Sequence, residues 1–248
     1  MATPQNIYDD PEFYAGYERL RRTGAGLNDV LEQPALWTLL PASMEGMRVL
    51  DLGCGFGDFA RKARSLGARA VAGIDLSERM LARAREVTLD AGISYRRAAI
   101  EDLDADGEPF DLVVSSLALH YVRDYAAAVA RVARILVPGG RFVFSVEHPM
   151  CTARPEQQWV RDADGQALYW PVDTYRPEGE RRTRWFVEGV VKYHRTLETY
   201  VNELIRSGFT LRRLLEPEPV AGPGAERVPG LDLHRRRPPF LLLAADRS

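Results

Sequence analysis

At 248 residues the chain is long enough for one core with embellishments, and 46% hydrophobic against 27% charged residues is the balance of a globular protein, not of a disordered or membrane-spanning one. A formal net charge of -2, with acids and bases mixed along the chain, lacks the footprint of a dedicated nucleic-acid binder, so nucleic acid is not an expected partner. Cys54 and Cys151 are too few for a disulfide framework and have no ligand spacing with histidine, so no metal is expected.

The opening "MATPQNIYDDPEFY" has no basic segment leading into an apolar one and does not read as a secretory signal; a cytoplasmic location is expected. Apolar runs are far shorter than a bilayer span, so no membrane partner is expected. "DPEFYAGYERLRR" and "NDVLEQPALWTLLP" predict two helices joined by the turn "TGAG", lying over an edge or mouth of the following core. From Met47 to Phe144 short apolar runs alternate with helix-period segments, the pattern of a parallel sheet with helices on both faces. The strands are "MRVLDL", "ARAVAGIDL", "ISYRRA", "FDLVVSS" and "GRFVFSV". "DFARKARSLG" and "SERMLARAREVTLDAG" are helices ending at Gly67 and Gly92, and "YAAAVARVARILVPGG" is a helix stopped by Pro138 and the glycine pair.

Beyond the fifth strand, Glu147 to about Arg184 loses clear periodicity while collecting Trp159, Tyr169, Trp170, Tyr175 and, at its end, Trp185. Such a segment predicts a lid or binding loop over a partly apolar pocket. Arg181, Arg182, Arg184 and the run "LHRRRPP", Leu233 to Pro239, read first as solvated stretches, with a substrate anion as the other reading. "RTLETYVNELIRSG" returns to helix, and "FTLRRLLEP" and "PPFLLLAA", separated by a Pro/Gly-rich loop, predict an antiparallel strand pair closing the sheet. With no repeat and no second core, the chain reads as one domain over 1–248: a helical cap (1–45), a ligand-binding core (46–147), an aromatic lid (148–194), and a final helix with its strand pair (195–248).

The stretch "VLDLGCGFGDFA", Val49 to Ala60, sets three glycines after an apolar run. A phosphate-binding loop needs a lysine and a hydroxyl residue after its last glycine, and neither is present. A nicotinamide fingerprint has the spacing GxGxxG, so that helix and strand pack closely at the third glycine. Here Gly53, Gly55 and Gly57 give GxGxG, followed by Asp58, too large and charged for that contact. The glycines still permit a sharp turn and close ligand approach. Asp75, at the end of "AVAGID" and about 20 residues on, stands where an acid accepts both hydroxyls of an adenosine ribose, its other reading being a helix cap.

In order and spacing, "VLDLGCGFG", "GIDLSERML", "FDLVVSSLALHYV" and "LVPGGRFVFS" resemble the successive motifs of the class I S-adenosylmethionine-dependent methyltransferases, over about Met47 to Val146. The resemblance implies an α/β fold: a Rossmann-like, doubly wound seven-stranded sheet, mostly parallel with the last strand antiparallel. It also implies S-adenosylmethionine lying across the carboxyl ends of the strands, with S-adenosylhomocysteine as product. By position, Gly53, Cys54 and Gly55 would present backbone to the methionine and ribose parts, Asp75 would hold the ribose diol, and Leu76 and Ile100 would cover the two faces of adenine. Family members often carry an acid just before the last of these; this chain has Ala99, which leaves Glu101 or Asp102 as the nearest partner for the adenine amino group. Ser115 and Leu117 would line the methionine arm. Tyr17 and Arg19 would close over the cofactor, Arg19 as a carboxylate partner, unless both belong to an ordinary amphipathic helix face.

A sulfonium already carries an activated methyl, so the enzyme mainly aligns the nucleophile and excludes water, while an oxygen or nitrogen of high pKa also needs a proton acceptor. His120 beside Tyr121 follows the fourth strand, His148 beside Glu147 follows the fifth, and His194 beside Tyr193 precedes the last helix. All three regions should converge on the carboxyl edge of the sheet, with His148 or His120 as the leading base. The reading is methyl transfer to oxygen or nitrogen of a small-molecule substrate. Methylation of RNA or protein is the alternative enzyme reading, weakened because "SSLALHYV" stands where amino-methylating nucleic-acid enzymes carry an Asn/Asp-Pro-Pro-aromatic signature. A non-catalytic cofactor-binding regulator is the alternative from another class. The aromatic segment and the N-terminal helices are candidates to pair across a homodimer. With no carboxylate cluster of ligand spacing near the mouth, methyl transfer is expected to survive a chelator, which an assay containing one checks.

Overall fold

The computed structural model describes residues 4–24, 26–104, 107–219 and 225–248. Ala25 of the expected "TGAG" turn and residues 220–224 of the Pro/Gly-rich loop lie outside them. A 3-10 turn at Ile7–Asp9 leads into α1 (Pro11–Thr23). The helix starts where the Asp10 carboxylate accepts from the N–H groups of Glu12 and Phe13, and it ends at Gly24, with φ 59°. The expected second helix is divided: a π-helical turn, Asn28–Glu32, runs into the short α2 (Gln33–Trp37), where Pro34 withdraws a backbone donor.

Alternating β and α elements follow: β1 (Arg48–Leu52), α3 (Asp58–Ser65), β2 (Ala70–Asp75), α4 (Glu78–Glu86), β3 (Ile93–Arg97), β4 (Phe110–Ser116), α5 (Tyr125–Ile135) and β5 (Leu136–Glu147). The helix α5 stops three residues short of Pro138, because the residue before a proline is driven to extended backbone and Val137 already belongs to the strand. After an insertion come α7 (Leu197–Arg206), β10 (Phe209–Leu215) and β11 (Phe240–Arg247).

These strands form one seven-stranded sheet in the order β3-β2-β1-β4-β5-β11-β10. The first five are parallel, and β11 runs antiparallel to both β5 and β10. Strand side chains alternate between two apolar layers. Leu50, Leu52, Phe142, Phe144, Leu241 and Leu243 pack under α5 and α7, whereas Val49, Val143 and Leu242 pack with α2 and α3 on the other face. The helix after β1 and the helix after β4 therefore leave on opposite faces, and a crevice opens between these adjacent strands at their carboxyl ends. No described helix is long and apolar enough to cross a membrane.

The aromatic segment has more order than its sequence suggests. After α6 (Pro149–Thr152), β6 (Val160–Arg161) pairs with β7 (Ala167–Tyr169), and β8 (Gly179–Trp185) pairs with β9 (Val187–His194). The alternation in β9 is real, Val190, Lys192 and His194 all being buried, but a lysine at a core position conceals it.

The N-terminal cap is fastened to the sheet by a carboxylate. Glu32 is wholly buried; its Oε1 accepts from the hydroxyls of Ser145 (2.5 Å) and Ser116 (3.0 Å), and its Oε2 from the side-chain amides of Asn28 and Gln33 (both 2.9 Å). Substituting Glu32→Ala strands four donors at once, which should lower stability by about 1–3 kcal/mol or more. Denaturant titration checks this as a lower midpoint at unchanged slope.

Candidate active site

At the carboxyl ends of the central strands lies a cavity of ≈ 650 Å³, within the roughly 300–1,000 Å³ span of pockets that enclose small ligands. Its floor is the glycine turn after β1. Gly53, Gly55 and Gly57 have φ of 75°, 51° and 74°, and the N–H groups of Gly53 and Cys54 both donate to the Ile74 carbonyl, tying β1's exit to β2. A methyl group at Gly53 would overlap that of Ala118, whereas one at Gly55 would project into open space. Asp75 locks the turn: its Oδ2 accepts from the Gly55 N–H (2.9 Å) and its Oδ1 from the Ser77 N–H (2.9 Å). Leu76, Ile100 and Glu101 line the same end; Asp102 does not.

On the β4 side, Leu117 lines the cavity in left-handed backbone, φ 52°, with its N–H donating to the Ser145 hydroxyl (3.0 Å). The roof is aromatic. Tyr8 meets Tyr17 and Tyr121 edge-on at 5.2 and 6.0 Å, and Trp185, at the tip of the β8–β9 hairpin, lies edge-on to Phe13 and Tyr17 of α1 at 5.2 and 6.1 Å. At the far end stand His120, Glu147, Gln157, Trp170, His234 and Arg237.

Four expected site residues lie elsewhere. Ser115 is buried in the core with its hydroxyl donating to the Leu52 carbonyl (2.9 Å), and the adjacent Ser116 is the one that lines the cavity. Arg19 is on the exposed face of α1; Arg21 takes the lining position, bonded to Asn28 and to the carboxylates of Asp29 and Asp58. His148 caps α6 by accepting the Met150 N–H at Nδ1, and its Nε2 contacts Glu216 at 2.8 Å. His194 has Thr152 on Nδ1 and the Tyr175 carbonyl on Nε2, both at 2.8 Å. Neither ring reaches the cavity, because both nitrogens of each are engaged in holding the insertion.

His120 does reach it. The Glu147 N–H donates to its Nδ1 at 3.4 Å, so the ring hydrogen sits on Nε2, which has no partner among the described residues. Burial pushes His120 down to about 4, keeping the imidazole neutral at physiological pH. Burial would raise the carboxyl of Glu147, but the Lys192 ammonium at 2.5 Å holds it at about 2, and Gln157 donates to its other oxygen.

A methyltransferase-domain family matches residues 50–144. The structure of an S-adenosylmethionine-dependent methyltransferase from Mesorhizobium loti is 46% identical, with a TM-score of 0.81 over 91% of this chain and 100% of that one. The chain belongs to the class I S-adenosylmethionine-dependent methyltransferases. An uncharacterized protein of Haemophilus influenzae is 33% identical over 86% of both chains. A ubiquinone biosynthesis O-methyltransferase of Hahella chejuensis is 42% identical over 107 residues, which span 42% of this chain and 44% of that enzyme. This methyltransferase thus matches less than half the length of that enzyme.

The residues present fit the cofactor of the family. At Gly55 the left-handed turn leaves open space where a side chain would stand, and beneath the turn Asp51 is buried with its Oδ2 lacking any hydrogen-bond partner among the described residues. Sequence reasoning passed over Asp51, which read as part of a strand, along with Tyr8, Arg21 and Ser116, and it weighed His234 and Arg237 only as part of "LHRRRPP", where a solvated stretch was the first reading. Of these, Asp51 carried a signal, being a carboxylate inside an otherwise apolar strand.

Burial, helped by the nearby charges of Asp75 and Asp58, pushes the Asp51 carboxyl up to about 8. In the cofactor-free protein it is protonated where the unfolded chain, at about 3.9, is not, so its contribution to stability falls as pH rises from about 4 to about 8. A cation placed against Oδ2, such as the α-ammonium of a methionyl group, draws the pKa down again. Cofactor binding near pH 7 should therefore release up to one proton, measurable by calorimetry in buffers of different ionisation enthalpy. Asp51→Asn should abolish the release, weaken binding about ten- to hundredfold and flatten the stability–pH slope.

Proposed function

We propose that this enzyme methylates an oxygen or nitrogen of a small-molecule acceptor held at the far end of the cavity, by in-line displacement. The observation that carries the reading is the continuity of one cavity from the glycine turn to a recess walled by Trp170, Trp185 and Phe240 and roofed by α1 and the β8–β9 hairpin. A recess of that kind suits a compact acceptor. The partial match to O-methyltransferases of ubiquinone biosynthesis agrees with transfer to oxygen.

Gly53, Cys54 and Gly55 would face the methionine and ribose parts of the cofactor with backbone, Asp75 the ribose, and Asp51 the ammonium. Leu76 and Ile100 would pack on adenine, with Glu101 beside its amino group and Tyr17 over the top. Bound S-adenosylmethionine supplies an electrophilic methyl whose transfer demands alignment and dryness more than a strong base. The aromatic roof, closed over both ligands, would exclude water. His120 presents Nε2–H to the cavity, so it donates to one lone pair of an oxygen nucleophile and leaves another free to attack the methyl; with a pKa near 4 and its hydrogen on that nitrogen, it is a positioning group and not the general base.

His120→Ala should lower kcat/KM about ten- to hundredfold without changing affinity for S-adenosylhomocysteine, and His120→Gln, which keeps an N–H donor, should recover much of the loss. Release of S-adenosylhomocysteine from a panel of phenols, amines and carboxylates, run beside bulk RNA and protein, is the assay. Turnover confined to the macromolecules would defeat the small-molecule reading, and a glutamine variant as inactive as the alanine variant would restore His120 as base.

A further inference from the structure

Arg237 is 6% exposed and lines the far end of the cavity, yet no carboxylate among the described residues lies within ion-pair distance of it. A buried guanidinium is ordinarily paired. Its neighbours are neutral. The guanidinium lies 4.0 Å above the Trp170 ring, one terminal nitrogen contacts the Cys151 sulfur, the other donates to His234 Nδ1 at 3.2 Å, and Nε has no partner. The fork is also rigidly held, since Trp170 is fixed by its own Nε1–H donating to the Met150 carbonyl (2.9 Å), and Arg236 alongside stacks on Trp159 at 4.8 Å.

The charges around it do not cancel. Glu147 and Lys192 form a closed pair. Burial, and for His234 the guanidinium itself, keep both His120 and His234 neutral. One positive charge is left over, buried, forked and facing an end of the cavity lined by Trp170, Pro239 and Phe240 together with His120, Gln157 and the paired Glu147.

We infer that Arg237 is the anchor for a carboxylate on the methyl acceptor, and that the acceptor is a monocarboxylic acid with an apolar or aromatic body. The inference rests on the small-molecule reading above. A planar fork matches a carboxylate bidentately, and a single uncompensated charge matches a monoanion better than a dianionic phosphate. The carboxylate is the handle and not the nucleophile. Arg237 lies three residues before the start of β11, which is three strands across from β1, so that the strand leading from the anchor and the strand leading to the glycine turn are roughly 14 Å apart at a spacing near 4.8 Å. The body of the acceptor spans the mouths of β5 and β4, passing His120, and its reactive oxygen or nitrogen is at the opposite end from the acid.

Calorimetry on the full chain saturated with S-adenosylhomocysteine tests this with three probes: 3-phenylpropionate, its uncharged amide 3-phenylpropionamide, and inorganic phosphate. The acid should bind at least about tenfold tighter than the amide. Arg237→Met, which keeps the length and the apolar contact with Trp170, should erase that preference while leaving S-adenosylhomocysteine affinity unchanged, and Arg237→Lys should keep part of it. Equal binding of acid and amide to the wild-type protein, or an acid preference that survives Arg237→Met, overturns the anchor; so does phosphate binding tighter than the acid and lost in Arg237→Met, which assigns the site to a phosphate instead. The wild-type comparison decides even if the methionine variant fails to fold. Turnover of neutral phenols or amines by the same preparation, without any acid preference, sinks the anchor and leaves the proposed function standing.

Discussion

Two carboxylates at the mouth of the sheet hold the backbone that shapes the cavity. Asp75 accepts the Gly55 and Ser77 N–H groups and so fixes the left-handed turn after β1 against the start of α4. Glu32 accepts two hydroxyls from the ends of β4 and β5, and one of these, Ser145, accepts in turn from the N–H of Leu117. A non-glycine residue in left-handed backbone is sustained only where its surroundings over-determine it, and here the same network that seats the cap does so. The segment containing Leu117 and the seat of the N-terminal cap are thus parts of one hydrogen-bonded network.

The cavity is electrostatically divided along the sheet. Asp75, Glu101 and the titratable Asp51 stand with the Arg21–Asp58 pair at the end under β1, β2 and β3, while Arg237 and the Lys192–Glu147 pair stand under β5 and β11. A cofactor carrying a sulfonium and an ammonium is complementary to the first end. An anionic acceptor is complementary to the second, so the two ligands are discouraged from exchanging places before any shape is considered.

What the sequence revealed was local and steric. Glycines at the turn, the acid at the end of β2 and the alternation of apolar runs each follow from one stretch of chain, and they led to a doubly wound α/β core with an adenosine-binding turn, while the resemblance of successive motifs to the class I methyltransferases implied the cofactor itself. The misplaced residues depended on orientation. Ser115 and Ser116 differ by one position in a strand and face opposite sides of the sheet. Arg19 and Arg21 differ by two positions in a helix, about 200° around its axis. His148 and His194 sit at the right ends of the right elements, but a strand end also needs caps and anchors for the segment that follows, and imidazoles serve both purposes. In "LHRRRPP" nothing in the sequence separates Arg237 from Arg235 and Arg236; the 3-10 turn over Leu231–Arg235 and the position of Trp170 make that choice.

The roof is held differently from the floor. Between α1 and the β8–β9 hairpin the contacts are mostly ring edges: Phe13 with Trp185 and Phe186, Tyr17 with Trp185, and the bare backbone of Gly16, where a side chain would come within 2.7 Å of the Phe186 ring. Aromatic pairs of this kind contribute about 0.5–1.5 kcal/mol each and need no exact alignment. Beneath them, hydrogen bonds to buried carboxylates penalise any misplacement of the backbone far more sharply. A methyltransferase must admit two ligands and then exclude water, so a floor of fixed geometry under a roof of interchangeable apolar contacts places the adaptable part of the structure where passage is required.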